Sequence, residues 1–184
     1  MAQTSTNVSG AKPAVGGALY VAPASTTLPT DATTALANTF ISLGYISEDG
    51  LTNSFEIASD FIKAWGGDKV MPVADDSTET YKCTLIEGLN TDVLKEVYGS
   101  DNVSGTLAAG ITVNHKDIDL TEKVYVVDMI LRGGVLKRIV IPRGAVTEVG
   151  EIKYAENDAI GYEITITAMA DSNGNKAIDY IAQP

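Results

Sequence analysis

The chain has 184 residues, room for one domain with an arm but crowded for two. Its 24 acidic side chains against 13 basic ones give a formal charge of −11, which excludes a protein that grips nucleic acid through its phosphates, since such a surface must be basic. Hydrophobic residues make up 45% and charged residues 20%, which excludes wholesale disorder. The 16 Val, 16 Ile and 19 Thr against 12 Leu point to a mostly β fold, because β-branched side chains lose χ1 freedom in helices and pack well on pleated surfaces.

Met1 to Gly17 is Ser, Thr, Asn, Gly and Pro with few large apolar side chains, and it reads as a mobile arm (residues 1–17) ahead of a single β domain (residues 18–184). It has no basic n-region before an apolar stretch, and the longest apolar run, Ala18 to Ala22, is far short of the ~20 residues that span a bilayer. The expectation is a soluble chain made in a cytoplasm, without membrane insertion. Ala18 to Ala22 reads as a short strand stopped by Pro23, and Ala24 to Thr39 as a loop or short helical turn. Ile41, Leu43 and Tyr45 alternate with Ser42 and Gly44 at strand period. Glu48-Asp49-Gly50 then reads as a tight turn, and Leu51, Asn53, Phe55 and Ile57 as one face of the hairpin partner. Asp60 to Trp65 continues as a strand to the break at Gly66-Gly67. Lys69 to Val73 is a short strand candidate, Ala74 to Thr78 a polar turn, and Tyr81, Cys83 and Leu85 share a strand face.

One helix is predicted over about 91–98. Asn90 or Thr91 caps it, Asp92 sits where the helix dipole favours an anion, and Gly99 ends it. Val93, Leu94, Val97 and Tyr98 fall on one side, with Lys95 and Glu96 outside. Strands return with Tyr125, Val127, Met129 and Leu131. A Gly133-Gly134 turn and a return strand ended by Pro142 follow. Val146 to Tyr154 is another strand. Ile160, Tyr162, Ile164, Ile166 and Ala168 alternate with Glu163, Thr165 and Thr167, and Asn173-Gly174 turns the chain so that Ala177 to Ile181 pairs back. Eight to ten short strands and one flanking helix fit a β-sandwich or a partly closed barrel.

The residues that carry chemistry elsewhere are sparse. His115 is the only histidine and lacks a G-x-S-x-G elbow, so a structural or surface role is expected. Cys83, between Tyr81 and Leu85, reads as a small buried hydrophobe without the basic neighbour a nucleophile needs. Asp171-Ser-Asn173-Gly174-Asn175 has glycine at its fourth position, where an EF-hand loop wants it sixth, and reads as a hairpin turn. Trp65 before Gly66-Gly67 is a core or contact residue, or else a sugar-stacking one. Arg132, Lys137, Arg138 and Arg143 touch phosphate or pair with acidic neighbours. No catalytic, cofactor-binding or metal-binding set emerges, and no enzyme is expected.

The order of the segments resembles the major tail tube proteins of long, flexible-tailed, non-contractile bacteriophages. The likeness lies in Gly17-Ala-Leu-Tyr-Val-Ala-Pro23, Thr27-Leu-Pro-Thr-Asp31, Leu43-Gly-Tyr-Ile-Ser-Glu-Asp-Gly50 and Ile62-Lys-Ala-Trp-Gly-Gly67. It continues with Thr84-Leu-Ile-Glu87, Val93-Leu-Lys-Glu-Val-Tyr-Gly99, Ile141-Pro-Arg-Gly-Ala-Val146 and Ala159-Ile-Gly-Tyr-Glu-Ile-Thr-Ile-Thr167. The resemblance implies a β-sandwich assembled as hexameric rings, stacked into a hollow tube through which DNA passes without specific binding. The implied partners are further copies of the chain and the tape-measure, tail-tip and tail-terminator proteins. The implied location is the virion tail, with assembly in the host cytoplasm. An acidic bore would repel the duplex and centre it, and Glu56 and Glu163, on polar strand faces, are the candidate lining residues. Two other classes stand beside this one: a carbohydrate-binding or adhesin-like β-sandwich using Trp65, and the tube protein of a contractile tail or injection machine.

Overall fold

Alternation governs most of the chain, and the computed structural model, which describes residues 4–14 and 17–184, turns it into eleven strands and one α-helix. The first five strands are β1 (Ala11–Pro13), β2 (Leu19–Pro23), β3 (Ile41–Ser42), β4 (Ile46–Lys63) and β5 (Lys69–Leu85). Helix α1 (Thr91–Tyr98) and a small hairpin, β6 (Val103–Thr106) with β7 (Gly110–Val113), come next. The second half holds β8 (Lys123–Leu131), β9 (Leu136–Val149), β10 (Tyr162–Ala168) and β11 (Ile178–Ala182).

Nine strands form one antiparallel sheet in the order β3-β2-β8-β9-β10-β5-β4, with β1 added on β8 and β11 on β9. The sheet is not closed into a barrel, since β3 and β4 at its two ends do not pair. Its inward side chains still meet in one cluster that takes Leu19 and Val21 from β2, Tyr125 and Val127 from β8, Ile139 and Ile141 from β9, Ile164 and Ile166 from β10, and Cys83 and Leu85 from β5. A flat sheet would hold β2 and β5 about 19 Å apart at ~4.8 Å per strand, so the sheet curls around this core. Val93, Leu94 and Val97 of α1 fill the concave side. The helix is bounded as its residues dictate: Asn90 accepts a bond from the Asp92 N–H, and the Gly99 N–H bonds the Lys95 carbonyl.

Several sequence expectations need correction. Glu48-Asp49-Gly50 is not a hairpin turn; it lies in a wide bulge of β4, where Ile46 pairs with Leu85 and Leu51 already pairs with Cys83. Gly50 takes the positive φ of 72° that this bulge needs. The hairpin partner of residues 51–63 is therefore β5, and Ile41–Ser42 pairs with β2 instead. Ala74 to Thr78 is no turn but the middle of β5, kinked by a register shift opposite Ala58 and Ser59. Pro142 does not end its strand; the β8–β9 register shifts beside it, so the ladder never needs its missing N–H. The Gly133-Gly134 turn is a three-residue loop beginning at Arg132, closed by a bond from the Leu131 N–H to the Val135 carbonyl. Ile160 lies before β10 and is 37% exposed. Glu96 is buried rather than outside. Within the span 1–17 expected as an arm, the structure describes a 3-10 turn at Ser5–Asn7 and β1, which pairs with Met129–Leu131 of β8; residues 1–3, 15 and 16 of that span lie outside the described residues, and the arm and domain bounds stay an expectation.

The convex side of the sheet is divided. Over β2, β8 and β9 it carries Ala22, Val124, Val126 and Val140, against which Phe40, Leu28 and Leu36 of the 24–40 segment pack. Arg138 pins that segment. It is buried, forks onto both carboxylate oxygens of Asp128 at 2.7 and 2.9 Å, and donates to the Asp31 and Thr34 carbonyls. Among the described residues no such apolar cluster lies over the convex side of β10, β5 and β4.

Candidate functional site

The uncovered part of the convex face is set by strand period. Tyr81, Cys83 and Leu85 turn inward on β5, so Thr78, Thr80, Lys82 and Thr84 turn outward. Residues opposite one another in an antiparallel pair share a face, which places Thr52, Ser54 and Glu56 of β4 on this side. Glu163, Thr165 and Thr167 of β10 and Glu148 of β9 complete it. The two residues singled out from the sequence, Glu56 and Glu163, therefore lie on one face. They are not equivalent: Glu56 is exposed opposite Thr78, whereas Glu163 sits 2.8 Å from Lys82. The hydrogen bond to the Glu163 carboxylate holds the Lys82 ammonium above its ordinary pKa. Glu148 and Lys82 were missed from sequence; their alternation with buried residues across three strands was the available signal. The Thr147 and Thr167 hydroxyls meet at 2.7 Å on the same face. This surface is rich in threonine and acidic, with one lysine among the residues named.

The second exposed feature is the outer part of the β4–β5 hairpin. From Thr78 outward β5 pairs only with β4, because β10 reaches no further than Glu79. Phe55, Ile57, Ile62, Val70 and Met71 are exposed there although apolar, and Trp65 at the tip is 106% exposed. An exposed apolar patch of this kind marks a contact surface. Among the described residues the outer edge of the 18-residue β4 carries no partner strand, and long bare edges are what natural sheets avoid unless another chain completes them.

The other singled-out residues are accounted for by local structure. His115 is exposed, its ring 4.8 Å from that of Tyr98. Cys83 is buried, and desolvation pushes its thiol up to about 12, so it stays protonated and inert. Asp171 accepts from the Asn173 and Asn175 N–H groups at 2.8 Å each, the geometry of a turn. The basic stretch pairs with neighbours: Lys137 with Asp179 at 2.7 Å, Arg138 with Asp128, Arg143 with Glu122 at 2.8 Å, while Arg132 donates to the Ser5 carbonyl. Among the described residues no group of three or more His, Cys, Asp or Glu is placed to hold a metal, and no helix is long and apolar enough to cross a membrane.

The described residues thus present a bare polar face, an unpaired strand edge and an apolar hairpin. A family model described as phage tail tube protein matches residues 4–184, and the chain belongs to that family. It is thus a structural protein of the phage tail, not an enzyme, whose place is the virion tail and whose partners are its own copies and other tail components. No curated protein matches the chain. Among solved structures, the chain is similar to the tube-terminating cap of the anti-feeding prophage at 12% identity and a TM-score of 0.45, over 99% of this chain and 100% of that one.

Proposed function

We propose that this chain is the tube subunit of a long, flexible, non-contractile tail, assembling in the host cytoplasm into six-fold rings that stack into a DNA channel. The observation that carries this reading is the uncovered Thr/Glu face beside the bare edge of β4. Adding a neighbour's strand to that edge continues the sheet from copy to copy, and closed symmetry turns the continuation into a ring. The same operation carries the bare face into one continuous inner wall, lined by Glu56, Glu148 and Glu163 and their symmetry mates. DNA bears one charge per ~1.7 Å of axis, so a basic wall would hold it and an acidic wall lets it pass. Screening over ~8 Å keeps that repulsion local, which centres the duplex instead of opposing its entry at a distance. The apolar hairpin supplies contact area between copies. Tape-measure, tail-tip and tail-terminator proteins would cap and template the stack. The test is negative-stain microscopy of purified protein at high concentration, with and without a tail-tip complex. Six-fold rings or hollow tubes are expected; a protein that stays monomeric under both conditions refutes the reading.

A further inference from the structure

The two ends of the β4–β5 hairpin carry charges of opposite sign that form no ion pair among the described residues. At the tip, Lys63 and Lys69 lie directly opposite one another in the ladder. Like charges in that position repel. Lys69 sits 4.3 Å from the centre of the Phe61 ring, but neither lysine has an ion-pair partner among the described residues. Between them projects Trp65, wholly exposed. At the root, a groove of about 930 Å³ opens between β8 and the β4 bulge. Leu51, Val127 and Met129 give it apolar walls, Glu48 and Asp49 stand exposed at its rim, and Lys12 is the one cation in its lining.

We propose that the Trp65 tip of one copy seats in the Glu48/Asp49 groove of the next, with Lys63 and Lys69 against the two rim carboxylates. The occupant is a second copy because the same chain carries both halves and cannot join them itself. At about 3.3 Å per residue, the stretch from Leu51 to Lys63 of β4 holds tip and groove up to roughly 40 Å apart. A knob at one end of an extended element and a hole at the other make a head-to-tail contact, and such contacts propagate into open stacks instead of closing into dimers. The indole fills the groove between Leu51, Val127 and Met129. This inference rests on the tube reading and adds the contact that links successive copies along the stack.

Charge reversal tests it. Variant one carries Lys63→Glu and Lys69→Glu; variant two carries Glu48→Lys and Asp49→Lys. All four residues are exposed, and circular dichroism checks that both variants fold. Pelletable tubes and Trp65 emission are then measured, Trp65 being the sole tryptophan. Each variant alone should form at least about tenfold fewer tubes than wild type, since like charges then meet across the contact. An equimolar mixture should recover assembly, because each variant's tip then matches the other's groove. Wild-type emission should move to shorter wavelength on assembly. Single variants that assemble like wild type, a mixture no better than its parts, or an unshifted emission in intact tubes would each overturn the docking while leaving the tube reading in place. Wild-type protein that never forms tubes overturns the tube reading and this contact with it.

Discussion

Ile164 reports the orientation of β10 most directly. It is 0% exposed and flanked by Glu163 and Thr165 on the bare face. Ile164→Asp buries a carboxylate with no partner and should cost about 4 kcal/mol or more, enough to unfold a marginal domain, whereas Thr165→Ala should cost under ~1 kcal/mol. Urea titration of both decides it. Glu96 is the more instructive residue. Its position on α1 puts it among the solvent-facing residues, yet it is 7% exposed, with Lys123 Nζ at 2.7 Å and the Tyr125 hydroxyl at 2.5 Å. Glu96→Ala would strand a half-buried ammonium and a buried hydroxyl, and a loss of about 3 kcal/mol is expected; Tyr125→Phe, which removes one bond only, should lose about 1 kcal/mol. Titration adds a third outcome. Burial raises the Cys83 thiol from 9.0 to about 12 and, with Tyr154 and Tyr162 nearby, Tyr98 from 10.0 to about 12. Tyr125 and Tyr81 are raised too, chiefly by desolvation. Each group binds more protons folded than unfolded above its unfolded pKa. Stability is therefore full below about pH 9 and falls as pH rises toward 12, visible as tyrosine ionisation coincident with unfolding.

Among the elements, the β4–β5 ribbon should be the least stable. Two strands without a third are marginal in water, and here the outer half has no third strand. Hydrogen exchange across residues 55–78 should be fast in the free subunit compared with β8 to β10, and suppressed after assembly; equal protection in both states would remove the hairpin from the interface. Which elements were legible follows from what sets them. The bounds of helix α1 were readable because its caps and apolar face are local, whereas the burial of Glu96 depends on Lys123 and Tyr125 of distant β8. The face of β10 was readable because one side is core and the other is not. The β4 bulge was unreadable, because Asp-Gly suits a hairpin turn and a bulge equally and only the distant β5 decides between them. Pro142 misled for the same reason: proline stops a ladder only where its N–H is wanted, and β8 supplies a register shift there. Glu56 and Glu163 were chosen as polar strand residues, and their common face needed the pairing of three strands separated by up to a hundred residues. The Lys82 partner of Glu163 needed it too.

At the scale of the whole molecule, charge and covering work together. The 24–40 segment, held by Arg138 and by the Asp31 carboxylate that caps Thr33 and Thr34, closes one half of the convex face and leaves the other half free. If the free half lines a channel, its charge governs passage and not stability. Glu56 is exposed and its side chain has no ion-pair partner among the described residues, so Glu56→Lys should leave folding and tubes intact while slowing DNA ejection from the assembled particle. Glu163→Gln tests the second position more cleanly than lysine would, since Lys82 is 2.8 Å away and a new cation beside it would strain the sheet itself. Unchanged ejection for both, with tubes intact, would place the lining elsewhere.

The pairing of β10 between β9 and β5 has a consequence for biogenesis. Residues 162–168 supply the strand that joins Glu79–Leu85 to the rest of the sheet. Until they leave the ribosome, the earlier ribbon has only itself to pair with, and its apolar side chains stand open. Folding must wait for a contact some eighty residues back along the chain. Topologies dominated by such distant pairings fold in milliseconds to seconds, and their unfinished forms are prone to clump. A protein needed in many copies at once would therefore pass through a crowded interval of half-made subunits, in which the order of synthesis, more than final stability, sets the yield.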